Sequence, residues 1–329
     1  AGNSVSGSTQ VPEGKCFVNV PVVLNLYKTD DSEQNPASLG GTKFLVKPQK
    51  AEDTFADGSS EKKITTDNSG RACLSGLLIA GHTYILTEIQ AKAGYVTPES
   101  AKAVFTVAKD GKSVSISGNA GENSLNAVLT GDNTLELKNS PTKVSIKKVD
   151  ENGQSVAGAQ LALYTWDILG GGKSSSPIMT WMSDRTAREF TGEIGEGTYV
   201  LEETERPSGY FLAEPVYFTV KAGNKIELIA GPDGNVNGQL DGNTNTLSMV
   251  DKKVLADITI NKTFAGEKTP IKGVAFDLFD NSGSGSGTLV ATQVTGANGQ
   301  LSFKDIPEGS YFIKENLQAS LAAGVADDV

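Results

Sequence analysis

The sequence predicts an all-β chain of tandem immunoglobulin-like β-sandwich modules, on two observations: short β-branched and aromatic strands recur at a long period, and turn signals separate them with no sustained helical pattern. The first recurring phrase is a strand ending in lysine: VVLNLYKTDD from Val22, KVSIKKVDEN from Lys143 and DITINKTFAG from Asp257. The second is glycine, an aromatic-led strand and glutamate: GHTYILTEIQAKAGY from Gly81, GTYVLEETERPSGY from Gly197 and GSYFIKENLQ from Gly309. A third phrase, NTLELKNSP from Asn133 and NTLSMVDKK from Asn245, closes the first two copies. Lys28, Lys148 and Lys262 stand 120 and 114 residues apart, and the lysine-to-glutamate intervals are 60, 55 and 53.

These landmarks divide the 329 residues into a tail (1–15), a first module (16–141), a second (142–253) and a third that is truncated or incomplete (254–329). Turn signals such as DNSG at Asp67, ENG at Glu151, PDGN at Pro232 and ANG at Ala297 set off the strands as antiparallel neighbours. LGGGKSSS from Leu169 and NSGSGSG from Asn281 read as flexible loops inside the second and third modules.

Composition narrows the function. With 39 acidic against 29 basic residues the net charge is −10, which repels phosphate backbones and anionic membranes and argues against a nucleic-acid or lipid partner. No apolar run approaches the roughly 18 residues of a membrane span, and AGNSVSGSTQ at the start lacks the regions of a signal peptide, as expected of a mature or trimmed fragment. Cys16 and Cys73 lack metal-ligand spacing and His82 is the only histidine, so no metal site or cofactor is expected. The two cysteines either pair as a disulfide or stay separate as buried thiols. KTDDSE near Asp30 reads as a solvated turn, not a calcium loop. With no G-x-S-x-G and no phosphate-cradling loop, turnover on an external substrate is not expected.

The period-2 alternation of strands singles out three polar residues per module. Val22, Leu24, Leu26 and Lys28 share a face, as do Val144, Ile146 and Lys148, and Ile258, Ile260 and Lys262. Glu88 extends the row of Tyr84 and Leu86, Glu203 that of Tyr199 and Leu201, and Glu315 that of Tyr311 and Ile313. Asn139 follows Leu135 and Leu137 in phase, and Asp251 follows Leu247 and Met249. A single such lysine or glutamate is more often a strand-end residue turned to solvent. Recurrence on the apolar phase, however, predicts a buried Lys–Glu–Asn/Asp cluster. Desolvation lowers a lysine pKa and raises a glutamate pKa, so the pair can exist as neutral amine and neutral acid. A neutral amine attacks a side-chain carbonyl, the acid polarises it, and ammonia or water leaves. The expected products are amides Lys28–Asn139 and Lys148–Asp251, with Glu88, Glu203 and Glu315 as the acids; Lys262 has no assigned acceptor.

IKKVDENGQSVAGAQLALY, TWMSDRTAREF, GTYVLEETERPSGY and LSMVDKK in the second module resemble a self-linking B-type domain of the collagen-adhesin family, and the likeness extends over nearly the whole chain. That family includes sortase-assembled shaft pilins and surface adhesins of Gram-positive bacteria. The resemblance implies prealbumin-like sandwiches, a spontaneous isopeptide bond with Lys148 as nucleophile, Glu203 as acid and Asp251 as acceptor, and corresponding roles for Lys28, Glu88 and Asn139. It also implies a cell-wall-anchored location and partners among other pilin or surface-protein subunits joined by sortase. NLQASLAAGVADDV departs from the family's Gly-Tyr turn, and neither a Tyr-Pro-Lys linking motif nor an LPxTG-like signal is visible. The second function class is an adhesive module that binds a host matrix protein through loops or a sheet edge, with Trp166, Trp181 and Met182 as its surface if exposed.

Overall fold

The computed structural model describes residues 22–283 and 286–322, so the tail and Cys16 lie outside the described residues. Two compact units emerge, one built on the residues up to Lys143 with Thr191–Glu196 and Ala222–Asn224, the other on the remainder. The first module comprises β1 (Asn25–Asp30), β2 (Lys43–Pro48), β3 (Lys62–Thr65), β4 (Arg71–Cys73), β5 (Thr83–Gln90), β6 (Lys102–Val107), β7 (Val114–Ile116), β8 (Val128–Thr130) and β9 (Thr134–Asn139). They form two facing sheets, ordered β4-β1-β9-β8 and β3-β2-β5-β6-β7. Leu24, Leu26, Leu135 and Leu137 from one sheet meet Phe44, Tyr84, Leu86 and Phe105 from the other in a buried core. Alternation is the cause: each strand sends every second side chain inward.

The second module repeats this plan with β10 (Lys143–Asp150), β11 (Gln160–Asp167), β12 (Gly172–Lys173), β13 (Met179–Met182), β14 (Arg188–Thr191), β15 (Gly197–Glu205), β16 (Val216–Lys221), β17 (Lys225–Ile229), β18 (Gln239–Asp241) and β19 (Thr246–Asp251). Its sheets run β14-β10-β19-β18 and β12-β11-β15-β16-β17, with β13 also on β11. The Gly/Ser-rich segment after Leu169 is more ordered than its composition predicts: β12 pairs with Trp166 and Asp167, and the Lys173 ammonium sits 4.2 Å from the Tyr164 ring centroid.

In both modules the first and last strands run parallel. Lys28 pairs with Leu137 and Asp30 with Asn139 across β1 and β9; Lys148 pairs with Met249 and Asp150 with Asp251 across β10 and β19. Parallel neighbours need a long crossover, and here nearly the whole module forms it.

The third module holds β20 (Leu255–Asn261), β21 (Ala275–Asp280), β22 (Thr288–Val294), β23 (Gln300–Pro307), β24 (Tyr311–Glu315) and α1 (Leu317–Ala322). Among the described residues β20 pairs only with β23, and β24 only with β21. After β24 the Asn316 side chain accepts the Ala319 N–H at 3.0 Å and starts α1, where the other two modules instead turn at Gly-Tyr. Leu, Gln and Ala favour that short helix.

One glycine holds β1 in place. The DNSG turn after Ile64 closes with the Asp67 side chain accepting the Ser69 and Arg71 N–H groups at 2.9 and 3.0 Å. Gly70 follows at φ 75°, where an added Cβ would lie 2.3 Å from the Lys28 carbonyl oxygen. Gly299 repeats the arrangement against Lys262. Gly70→Ala is therefore expected to destabilise the first module by about 2 kcal/mol or more. Gly118→Ala, in open space with ordinary φ, should stay within about 0.5 kcal/mol. Denaturant unfolding of the two variants gives the comparison, and equal midpoints would contradict the steric account.

Candidate functional site: a lysine, a glutamate and an acceptor in each complete module

In the first module β1 delivers Lys28, β5 delivers Glu88 and β9 delivers Asn139, each as the last inward residue of its strand. The Lys28 and Glu88 side chains are 0% and 1% exposed, and Lys28 Nζ lies 3.8 Å from Glu88 Oε2. Asn139 Nδ2 donates to Glu88 Oε1. Lys28 Nζ, Glu88 Oε2 and Asn139 Oδ1 are buried and make no hydrogen bond among the described residues. Unpaired buried polar atoms are costly and rare, so three in one cluster call for an explanation.

Burial accounts for the electrostatics. It pulls the Lys28 amine down to about 8 against the opposing pull of Glu88 and Asp31. It also pushes the Glu88 carboxyl up against the opposing effects of Lys28 and the Asn139 amide. Both shifts favour the uncharged forms.

The second module assembles the same trio from β10, β15 and β19, with Lys148, Glu203 and Asp251 side chains all 0% exposed. Lys148 Nζ contacts Asp251 Oδ1 and lies 3.4 Å from Glu203 Oε1. Burial raises the Glu203 carboxyl, opposed first by the Ala213 N–H and then by Lys148. It raises Asp251 likewise, opposed by Lys148. A raised Asp251 matters because a carboxylate resists attack by an amine, whereas a carboxylic acid can lose water.

The third module brings Lys262 and Glu315 together at 2.9 Å, but both remain partly open to solvent, 27% and 29%. Their strands have the inward phase, yet among the described residues β20 and β24 lack the neighbours that cover β1, β10, β5 and β15. No strand beside β20 corresponds to β9 or β19 among the described residues, so no acceptor stands opposite Lys262.

The other singled-out residues separate cleanly. Trp181 is 7% exposed and packs edge-on against Phe190, 5.2 Å between ring centroids. Trp166 meets Tyr217 the same way at 4.9 Å, while Met182 is exposed. Cys73 is an exposed free thiol. Asp30 turns its carboxylate onto the Ser32 and Ala37 N–H groups at 3.2 and 3.0 Å, as a turn residue does. One contact has no side-chain signature in the sequence: the Ala213 N–H donates to Glu203 Oε2 at 2.6 Å.

Two facing sheets closed by a parallel first–last strand pair, repeated along the chain, define a tandem prealbumin-like β-sandwich protein. The chain belongs to the SpaA prealbumin-like fold domain family, whose model matches residues 23–121, 142–232 and 256–320. Similar solved structures include the Bacillus anthracis TIE protein, at 23% identity and TM-score 0.45, covering 91% of this chain and 46% of that one. They also include the C-terminal fragment of the pilus adhesin SpaC from Lactobacillus rhamnosus GG, at 18% identity and TM-score 0.39, covering 72% and 98%. A third is BcpA, the major pilin subunit of Bacillus cereus, at 18% identity and TM-score 0.37, covering 90% and 87%. This chain thus spans less than half of the TIE protein's length. No curated protein matches it.

Proposed function

We propose that the chain is a structural stalk or pilus-shaft segment of a Gram-positive surface protein, whose first two modules each close an intramolecular isopeptide bond. Lys28 Nζ attacks Asn139 Cγ, the Cγ–Nδ2 bond breaks and ammonia leaves. Lys148 Nζ attacks Asp251 Cγ, the Cγ–oxygen bond breaks and water leaves. Glu88 and Glu203, whose carboxyls burial pushes toward the protonated form, polarise the attacked carbonyl and carry the amine proton to the leaving group. A rigid dry core supplies proximity. The observation that carries this reading is the convergence of amine, acid and acceptor, all fully buried, at the same place in both complete modules. Once the amide forms, the lysine amine can no longer take up a proton, and the cost of burying its charge is gone.

Each module reacts once and on itself; no external substrate is turned over. The partners are other pilin or surface-protein subunits, joined through sortase on the cell wall outside the cell. The adhesive alternative has less support, because Trp181 lies in the core and Trp166 is packed on Tyr217.

Intact mass spectrometry tests the reading. The chain is expected to be lighter than its sequence by one ammonia and one water, with branched Lys28–Asn139 and Lys148–Asp251 peptides after trypsin. An unshortened mass would refute it.

A further inference from the structure

The chain that leaves Glu88 in the first module is held by residues from beyond that module. The first compact unit takes in two short segments of the second module's sequence, Thr191–Glu196 and Ala222–Asn224. Both fasten where the chain leaving Glu88 meets the chain leaving Asn139. There the Val96 N–H reaches Ser140 O and the Thr142 N–H reaches Gly94 O, each at 2.9 Å. The Gly192 N–H joins this ladder by donating to Thr142 O at 2.9 Å, and the Thr142 hydroxyl donates to Ile194 O at 2.6 Å. Thr142 and Ile194 are both 0% exposed. Gly94, at φ 85°, comes so close that an added Cβ would stand 2.2 Å from the Gly192 carbonyl oxygen.

The same segment reaches back toward the acid. Glu196 Oε1 accepts the Thr97 N–H at 2.9 Å, the Thr97 side-chain oxygen accepts the Ala91 N–H at 2.9 Å, and Ala91 stands three residues past Glu88. From the other segment the Gly223 N–H closes on Thr97 O at 2.9 Å. Burial is the main cause of the raised Glu88 carboxyl, and the charge of Glu196 adds to it against the opposing effects of Lys28 and the Asn139 amide. The second compact unit repeats the join. Val254, three residues past Asp251 as Thr142 is past Asn139, gives its N–H to Gly209 O at 2.9 Å and accepts the Glu308 N–H at 3.2 Å, while Glu308 Oε2 accepts the Gly209 N–H at 3.1 Å. Glu196 and Glu308 each stand just before the glycine that opens an aromatic-led strand. Unrelated contacts have no reason to share that position.

We propose that Thr142 and Glu196 are positioning residues for the Lys28–Asn139 reaction: through them the Thr191–Glu196 segment holds the chain leaving Glu88 against the chain leaving Asn139, so that acid and acceptor meet. The proposal rests on the cross-linking reading above. β1 and β9 are neighbours in one sheet, and their pairing fixes Lys28 relative to Asn139. Glu88 belongs to the facing sheet, so its placement against the other two depends on what ties the end of β5 to the end of β9. The ladder of Gly94 and Thr142 is such a tie, and the buried hydroxyl clamps it. An acid that drifts from the amine and the leaving nitrogen transfers its proton more slowly.

The test uses the full chain, refolded from denaturant, with the loss of ammonia and the Lys28–Asn139 peptide followed by mass spectrometry. Bond formation at Lys148 in the same molecule is the internal reference. Thr142→Val keeps the shape of the side chain but removes the hydroxyl, and Thr142→Ser retains it. Glu196→Ala removes the carboxylate from an exposed position, where little stability is at stake. Thr142→Val and Glu196→Ala are each expected to slow the Lys28 bond about fivefold or more, a small part of the roughly hundredfold that a misplacement of about 1 Å can cost. Thr142→Ser should react at close to the unaltered rate, and the Lys148 bond should keep its rate in all three variants. An undiminished Lys28 rate in Thr142→Val or Glu196→Ala, a rate in Thr142→Ser as low as in Thr142→Val, or equal slowing of both bonds would overturn the proposal. Should the unaltered chain form no bond at Lys28, the cross-linking reading itself fails, an outcome that the unaltered sample reports before any variant is compared.

Discussion

Glu203→Gln is expected to leave the second module open, so that the chain keeps the water that Asp251 would otherwise lose while the ammonia of Asn139 is still released. Gln matches Glu in size and still offers an oxygen to the Ala213 N–H, but it cannot carry the transferable proton. Lys148 then stays in contact with Asp251 as a buried pair, without a covalent link between β10 and β19. By the loop-closure relation for a ring of about 100 residues, the lost constraint is worth roughly 4 to 5 kcal/mol of equilibrium stability. Urea unfolding and limited proteolysis should show the second module failing well before its unaltered form. A normal rate of bond formation in Glu203→Gln would remove the acid from the mechanism.

The second large effect is a pH dependence that the cross-linked module should lack. Asn139→Ala removes the acceptor and traps Lys28 in the core as a free amine, with a pKa of about 8 against 10.5 for the exposed group. Between those values the unfolded chain binds a proton that the folded module does not, so stability rises with pH across this window. Below about pH 8 both states are protonated and the full penalty of burying the ammonium, about 3 kcal/mol, is present. Unfolding midpoints of the first module should therefore climb from pH 8 to 10. With the proposed amide in place, the unaltered module should not show that climb. A flat profile in Asn139→Ala would mean that Lys28 reaches water.

Much of this site is legible in the sequence because a strand has only two faces. Once Leu24 and Leu26 are placed inward, Lys28 follows, and the same holds for Glu88 behind Leu86 and Asp251 behind Met249. The third module marks the limit of that reasoning. Lys262 has the same phase and meets Glu315, but phase reports a direction and not what lies there, so both side chains remain partly in water. Composition misleads at Gly172 and Lys173, where flexible residues nonetheless pair with the end of β11. The Ala213 contact is harder still to foresee: a backbone N–H belongs to nearly every residue, and no side chain in the sequence marks this one.

The parallel pairing of β1 with β9 has a consequence for extension. Tension applied at the start of β1 and the end of β9 slides the two strands along each other, loading their hydrogen bonds together in shear. With the proposed bond between Lys28 and Asn139, the tension would pass from β9 directly into β1 and bypass everything in between. Were that intervening chain to unravel, it would add roughly 370 Å of contour length. The module should instead lengthen hardly at all, and a pulled molecule should give a force trace without the sawtooth step of that domain.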